Sequence, residues 1–261
     1  MSETEILGID FSGSKSPGRK IWITKGTVSG DALQIEESQS ARDAFDERGR
    51  EAILGELREK CQSNAGAVIG FDFPFGFPTG SVETDEWTEF LEEFADEFKG
   101  GSIGKYPGNF KTEKQLRREV DYRYAGQSPM SPQVQYQVFY GLRDLLHPLV
   151  CEQESVRVCP MQSPKEGLPT LIEVYPAATL GRLGCYRTGY KNTPGARERR
   201  KDTVEALEER GIVDLHETDT EQFIRSDDAL DSLVAAVAAH RAVQKGLEED
   251  LDSEVEGHIY T

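Results

Sequence analysis

The stretch Ile6-Leu7-Gly8-Ile9-Asp10-Phe11-Ser12-Gly13 decides how this chain folds. Its apolar residues predict a buried strand over 5–11, and Ser12-Gly13-Ser14 predicts the turn that ends the strand. Asp10 lies at the end of this apolar run. A carboxylate there loses hydration, which is unfavourable unless a positive group compensates for it. Asp10 therefore either opens the turn or meets a cation.

A second buried strand is predicted over 66–73, and it also ends on an aspartate. In Gly70-Phe71-Asp72-Phe73-Pro74 the two phenylalanines flank Asp72, so alternation places the Asp72 side chain on the opposite face from both rings. Pro74 and Pro78 break the strand after this point. This pattern indicates a functional carboxylate more strongly than a structural one.

Three further acidic residues follow the same pattern, two of them on a helix. Glu173 follows Leu171-Ile172 in a strand predicted over 169–175, and it is either a ligand or an ion-pair partner of an arginine such as Arg117, Arg118 or Arg123. Asp228 and Asp231 are three residues apart and share one face of a helix predicted over 220–245. The alternative for this pair is the ordinary enrichment of acids at a helix N-terminus.

Together these carboxylates predict a metal-dependent catalytic site. Hard oxygen ligands suit Mg²⁺ or Mn²⁺. Two such ions about 3.5–4 Å apart activate water and stabilise the leaving oxygen in phosphodiester hydrolysis. The predicted metal ligands are Asp10, Asp72, Asp228 and Asp231, with Glu173 as a further catalytic residue.

The order of predicted elements indicates an α/β fold. A hairpin over 20–28 and 31–37 follows the first strand, and a further strand is predicted over 155–159. We expect a mixed five-stranded sheet with helices on both faces, in which the first strand lies between the hairpin and the strand at 66–73. Residues 1–261 would form a single domain with a helical insertion at about 99–150. Helices are predicted over 40–61, 83–98, 111–125, 132–147, 196–210 and 220–245.

The charge of the chain is strongly negative but unevenly distributed. The 261 residues carry a formal net charge of −17, which by itself argues against a nucleic-acid partner. However, residues 99–147 hold eight Lys and Arg against four Asp and Glu, and residues 182–201 hold seven against one. Because of these two basic islands, the negative net charge does not exclude a polyanionic substrate. The acidic remainder is typical of a salt-adapted protein, or of an ordinary acidic bacterial one.

The cysteines and the N-terminus indicate the compartment. Four cysteines are scattered without the spacing of a metal site or a disulfide framework. The first twenty residues lack an apolar signal segment, and no apolar run is long enough to cross a membrane. We therefore expect a reduced, soluble, cytoplasmic protein that does not bind a membrane.

Several of these motifs resemble one known family, the domain of unknown function 429. The resemblance rests on Gly8–Gly13, Gly70–Pro74 and 227–236, together with Glu173-Val174-Tyr175-Pro176-Ala177 and the closing Glu256-Gly257-His258-Ile259-Tyr260. Members are regarded as predicted nucleases with a ribonuclease H-like fold. The resemblance implies that Asp10 and Asp72 are strand ligands, that Asp228 and Asp231 are helix ligands, and that nucleic acid is the substrate.

The insertion supplies candidate substrate-binding residues. Cationic side chains with interleaved tyrosines suit a phosphate backbone and stacked bases. The candidates are Lys114, Arg117, Arg118, Arg123 and Tyr122. A helical lid with solvated basic residues is the alternative. For residues 182–201 a solvated helix face is the default interpretation.

Two other functional classes compete with the nuclease. Gly8–Ser14 is close to the first phosphate-binding loop of actin-like ATPases and sugar kinases, which need a second glycine-rich loop in a duplicated domain. Here the matching position holds Phe-Pro-Phe-Gly-Phe-Pro. The third class is a non-catalytic module that binds nucleic acid or protein, although such a surface gains nothing from clustered acids.

Overall fold

A computed structural model of the chain describes residues 4–101, 103, 116–215, 220–247 and 255–261. Its strands form one mixed sheet in the order β5-β6-β4-β1-β2-β3-β7. The strands are β1 (Glu5–Asp10), β2 (Trp22–Ser29), β3 (Ala32–Ser40), β4 (Val68–Phe71), β5 (Arg157–Cys159), β6 (Thr170–Glu173) and β7 (Val213–Asp214).

The predicted position of the first strand is confirmed, but the predicted number of strands is wrong. β1 pairs antiparallel with β2 of the hairpin and parallel with β4. The described residues form seven strands rather than five. The stretches predicted as strands over 155–159 and 169–175 do form β5 and β6, which pair in parallel, and the two-residue β7 adds an unpredicted edge beside β3. A two-residue strand is too short to show alternation in sequence.

The helices of the described residues lie between and after these strands. They are α1 (Pro17–Lys20), α2 (Ala41–Phe45), α3 (Arg50–Ser63), α4 (Trp87–Glu97), α5 (Glu119–Tyr124), α6 (Gln135–Gly141), α7 (Pro176–Arg182), α8 (Ala196–Glu209), α9 (Glu221–Arg225) and α10 (Asp227–Lys245). Two π-helical turns, Leu142–Leu146 and Pro148–Glu152, follow α6. No helix among the described residues is long and apolar enough to cross a bilayer.

Two predicted helices are each divided in two by local capping. The helix predicted over 40–61 begins as expected, because the N–H of Asp43 donates to Ser40 Oγ at 3.3 Å. It then breaks at Asp46, which has a left-handed backbone, and α3 restarts after Gly49. The helix predicted over 220–245 is interrupted at Ser226, whose hydroxyl caps α10.

Helices cover both faces of the sheet, as predicted, and alternation in β1 separates two hydrophobic cores. Leu7 and Ile9 belong to the core that includes α3 and α4. Ile6 belongs to the core that includes α10. The described residues of 99–150, predicted as a helical insertion, include α5 and α6, and Phe139 of α6 contacts Phe98 at a ring-centroid distance of 5.2 Å. α6 therefore packs on the α4 side of the sheet.

Two glycines allow α10 to lie directly on the sheet. A Cβ added to Gly8 would lie 2.1 Å from the backbone nitrogen of Ala236 and 2.2 Å from the carbonyl oxygen of Ser232. A Cβ on Gly70 would lie 2.9 Å from the carbonyl oxygen of Ala235. The backbones of β1, β4 and α10 thus approach one another more closely than any side chain would permit.

We therefore expect Gly8→Ala to destabilise the fold by about 1–3 kcal/mol or more, because a methyl group must push α10 away from β1. Chemical denaturation followed by circular dichroism measures this change. Gly55→Ala in α3 is the matched control, since its Cβ would meet nothing closer than 3.9 Å, and alanine stabilises a helix interior relative to glycine. Equal stability of the Gly8→Ala protein and the unsubstituted protein would contradict the close approach.

Candidate metal centre

The ends of β1 and β4 place two aspartates side by side. The strands run parallel with Gly8 opposite Gly70, and the N–H of Asp72 donates to the carbonyl oxygen of Ile9 at 3.0 Å. Because side chains alternate along a strand, Asp10 and Asp72 point to the same face as Gly8 and Gly70. That face carries α10.

The first turns of α10 bring a third aspartate to the same point. Asp231 is 1% exposed, and its carboxylate meets those of Asp10 and Asp72. One oxygen from each of these three residues lies within 4.8 Å of the other two. These three residues, hereafter the aspartate triad, come from three separate elements, and Asp231 lies more than 150 residues after the other two in sequence. The approach of α10 to Gly8 sets this geometry.

Burial and mutual repulsion raise the pKa values of the aspartate triad. Burial, then Asp231 and Asp72, raise the pKa of Asp10 well above its ordinary value. Burial and Asp231 raise the pKa of Asp72 to about 7. Burial also raises the pKa of Asp231, while Lys191 opposes that shift. A cation that neutralises these carboxylates would remove the cause of the repulsion.

The donor set fits a hard divalent cation. All three side chains offer carboxylate oxygens, which Mg²⁺ and Mn²⁺ prefer. Asp72 keeps part of its surface exposed, so an ion and its water molecules can enter from solvent. The triad is therefore a candidate metal centre, and the residues do not by themselves select between the two ions.

A lysine and a tyrosine contact the triad, and the sequence prediction of the site did not include them. Lys191 Nζ forms an ion pair with Asp231 Oδ2, although 49% of the lysine side chain is exposed. The Tyr190 hydroxyl donates to Asp231 Oδ1 at 2.9 Å. Lys191 belongs to the basic island at 182–201, for which a solvated helix face was the default interpretation. It precedes α8 and lies in an irregular loop, so helical periodicity could not reveal it.

Arg200 of α8 holds this loop against α9, the short helix that directly precedes α10. Its Nη1 donates to the carbonyl oxygen of Tyr190 and its Nε to that of Ile224, the latter at 2.8 Å. Arg200 is 8% exposed, so this basic residue is part of the architecture of the site rather than a free phosphate contact. The hydrogen bonds of Arg200 therefore fix the loop that carries Lys191.

Asp228, a predicted ligand, lies outside the triad. Its Oδ2 accepts from Lys20 Nζ at 2.7 Å, and both side chains are partly exposed. It shares the helix face of Asp231, as predicted, but it lies one turn nearer the N-terminus and meets α1. Asp228 is near enough to raise the pKa of Asp10, although its contribution is smaller than those of burial, Asp231 and Asp72.

Glu173, the other predicted catalytic acid, points to the opposite face of the sheet. It pairs with Phe71 in the register of β4 and β6, and Phe71 belongs to the core on the α4 side. There Arg118 Nη2 contacts Glu173 Oε1 at 2.6 Å, and the N–H of Phe75 donates to Oε2 at 2.8 Å. Burial raises the pKa of Glu173, and Arg118 opposes that shift. The ion pair considered as the alternative is the arrangement observed.

The predicted substrate-binding residues have different environments. Arg118 is fully buried, so the structure does not place it where it could touch substrate. Tyr122 is 66% exposed, and Arg117 lies over its ring at 5.9 Å. Arg123 is exposed and forms an ion pair with Glu119 at 3.2 Å. Lys114 lies outside the described residues.

The loop that resembles a kinase phosphate-binding loop is occupied by contacts with other parts of the protein. The N–H of Ser14 donates to Ser12 Oγ at 3.3 Å. A Cβ on Gly13 would lie 2.2 Å from the carbonyl carbon of Tyr136, so the α6 backbone covers that glycine. Arg50 Nη2 donates to the carbonyl oxygen of Ser14 at 2.6 Å. These contacts favour the carboxylate centre over a phosphate loop as the functional site.

Comparison with known proteins identifies the family and nothing more specific. Neither a curated protein nor a solved structure matches the chain. One family model, described as a protein of unknown function (DUF429), matches residues 8–251. That range contains the whole aspartate triad with Tyr190 and Lys191. The chain therefore belongs to the DUF429 family.

Proposed function

We propose that this protein is a divalent-metal-dependent nuclease that hydrolyses phosphodiester bonds. The observation that carries the proposal is the aspartate triad, whose ligand atoms lie within 4.8 Å of one another at the carboxyl ends of two parallel strands. This edge is where ligands bind in open α/β sheets. A ribonuclease H-like fold, which the family resemblance implies, agrees with the central position of β1.

The roles of the residues follow from their contacts. Asp10, Asp72 and Asp231 would hold Mg²⁺ or Mn²⁺, which when bound activates water and neutralises charge on the phosphate. Tyr190 and Lys191 fix the orientation of the Asp231 carboxylate. Groups that orient a metal ligand in this way tune affinity and activity. The partly exposed Asp72 gives the substrate access to the centre.

Nucleic acid is supported as the substrate by the surface next to the centre. Asp72 lines a cavity of about 60 Å³ together with Arg118 and Asp121, so the insertion helix α5 borders the site. On α5 the exposed Tyr122 and the nearby Arg117 offer a ring for base stacking and a cation for phosphate. The basic island around residues 182–201 adjoins the same centre through Lys191.

We expect Asp10→Asn, Asp72→Asn and Asp231→Asn each to lower hydrolysis more than about 100-fold, because losing only a group that orients a metal ligand already costs 10–100-fold. Asp228→Asn should lower it less than about tenfold, since Asp228 pairs with Lys20. The assay follows labelled single-stranded, duplex and junction DNA and RNA with Mg²⁺ or Mn²⁺.

Asp202→Asn on the exposed face of α8 is the charge-matched control. Chelation by EDTA should abolish cleavage by the unsubstituted protein, and added Mn²⁺ should restore it. Cleavage by the purified chain that survives both chelation and Asp10→Asn would contradict a mechanism that depends on a metal ion at the triad. An unsubstituted protein that cleaves none of these substrates with either ion would refute the proposed function.

A further inference from the structure

We propose that the centre binds a single divalent ion and that the Lys191 ammonium supplies the second positive charge of the site. This inference rests on the proposed function, since it concerns the same centre. It replaces the two-ion mechanism expected from the sequence. Lys191 would then be a residue that contributes directly to charge neutralisation, in addition to orienting Asp231.

The first support is that the two other acids predicted as ligands or catalytic residues are already paired. A second ion would need further carboxylates, and the sequence offered Asp228 and Glu173 for that role. Asp228 pairs with Lys20 at 2.7 Å. Glu173 is clamped by Arg118 at 2.6 Å on the opposite face of the sheet. Each of these two acids therefore has its own cation, and among the described residues the aspartate triad is the group whose ligand atoms converge as at a metal site.

The second support is the balance of charge. When ionised to bind a metal, the three carboxylates carry three negative charges in a largely buried site. The Lys191 ammonium carries one positive charge and lies directly on Asp231. One divalent ion supplies the two charges that remain. A second divalent ion would leave an excess of positive charge beside an ammonium, which is unfavourable where water screens little.

The third support is that the protein fixes Lys191 in place. Its neighbour Tyr190 is 2% exposed, and the Tyr190 hydroxyl donates to Asp231 at 2.9 Å. Arg200 binds the carbonyl oxygens of Tyr190 and Ile224. A lysine that only happened to lie near an acid would not need this buried support. The ammonium is therefore held where it can neutralise an oxygen of the bound phosphate.

The test is a titration of the full chain with Mn²⁺, in which electron paramagnetic resonance of the free ion gives stoichiometry and affinity. The unsubstituted protein should bind one ion. Lys191→Met should bind it at least tenfold more tightly, because a repelling charge is removed, and should lose hydrolysis. Lys191→Arg keeps the charge and should stay within about threefold of the unsubstituted affinity. Lys201→Met is the control, since 48% of the Lys201 side chain is exposed against 49% for Lys191.

Two bound ions in the unsubstituted protein, or an unchanged or weaker affinity in Lys191→Met, would overturn this inference and leave the nuclease proposal standing. One bound ion and the expected affinities, with no hydrolysis of any nucleic acid, would overturn the nuclease proposal alone. No binding of Mn²⁺ would overturn both.

Discussion

Replacing Arg118 with methionine should destabilise the fold by about 3–5 kcal/mol, because it leaves two buried carboxylates without their cation. Arg118 is fully buried, and the side chains of Asp121 and Glu173 are 2% and 4% exposed. The guanidinium contacts both oxygens of Glu173, at 2.7 and 2.6 Å. It also donates to Asp121 Oδ1 at 2.8 Å. Methionine keeps an unbranched apolar stem and removes the guanidinium with its charge.

The cluster around Arg118 also holds the C-terminal segment in place, so the loss of the guanidinium should loosen contacts outside α5 as well. Arg118 Nη1 donates to the carbonyl oxygen of Glu256 at 2.9 Å. The Glu256 carboxylate accepts from the N–H of Thr79 and the N–H of Glu119, both at 2.8 Å. The start of α5, the loop after β4 and the C-terminal segment therefore meet at one buried group of charges.

Urea unfolding measures this effect, and Arg123→Met is the matched control. Arg123 lies on the same helix, but 54% of its side chain is exposed and it pairs with an exposed glutamate. A surface pair of this kind contributes less than about 1 kcal/mol. Equal losses in the two variants would show that the Arg118 cluster does not stabilise the fold.

The aspartate triad could be predicted from sequence because each member carries a local signal. Asp10 and Asp72 each end an apolar strand, and parallel neighbours bring such ends together. Asp231 precedes the buried alanine-rich centre of α10. A residue that produces this geometry also lies in the first strand, since Gly8 allows the close approach of α10, the helix that carries Asp231.

The orientation of Glu173 could not be predicted in the same way. All four residues of β6 are buried, so both faces of the strand are covered and no alternation of apolar and polar residues marks which face is which. The register with β4 places Glu173 opposite Phe71, and the glutamate consequently points to the other face of the sheet from the triad, although it borders the same cavity as Asp72. A shift of one residue would have reversed this outcome.

Lys191 and Tyr190 show a second limit of sequence reasoning. Their positions depend on a loop fixed by Arg200, whose hydrogen bonds to the described residues all go to backbone carbonyl groups. Every residue type has a backbone carbonyl group, so no pattern of side chains in the sequence predicts such contacts. Basic composition marked the region around residues 182–201, but it did not distinguish an architectural arginine from a lysine at the centre.

The stability of the metal-free protein should fall as the pH rises from about 4 to 7, and divalent ions should reverse this trend. Burial and Asp231 raise the pKa of Asp72 to about 7 in the folded state, against about 3.9 for an unfolded aspartate. Between these values the folded chain binds a proton that the unfolded chain has released, so raising the pH favours unfolding. The pKa values of Asp10 and Asp231 are raised in the same direction.

A bound divalent ion replaces those protons, so its stabilising effect should be largest above pH 7 and smallest near pH 5. At an ion concentration 100 times the Kd we expect a gain of about 2.7 kcal/mol at pH 8. Thermal unfolding with Mg²⁺ or Mn²⁺ measures this gain. The reference must be NaCl of equal ionic strength, because a chain with a net charge of −17 is stabilised by screening alone.

Variants of the triad separate the metal effect from general electrostatics. Asp72→Asn removes a repelling charge, so the metal-free protein should become more stable above pH 7 and lose its gain from Mg²⁺. Asp202→Asn removes one charge from the exposed face of α8 and should keep the full gain. If Mg²⁺ raised the melting temperature equally at pH 5 and pH 8, or equally in both variants, ions would be acting on the acidic surface and not at Asp10, Asp72 and Asp231.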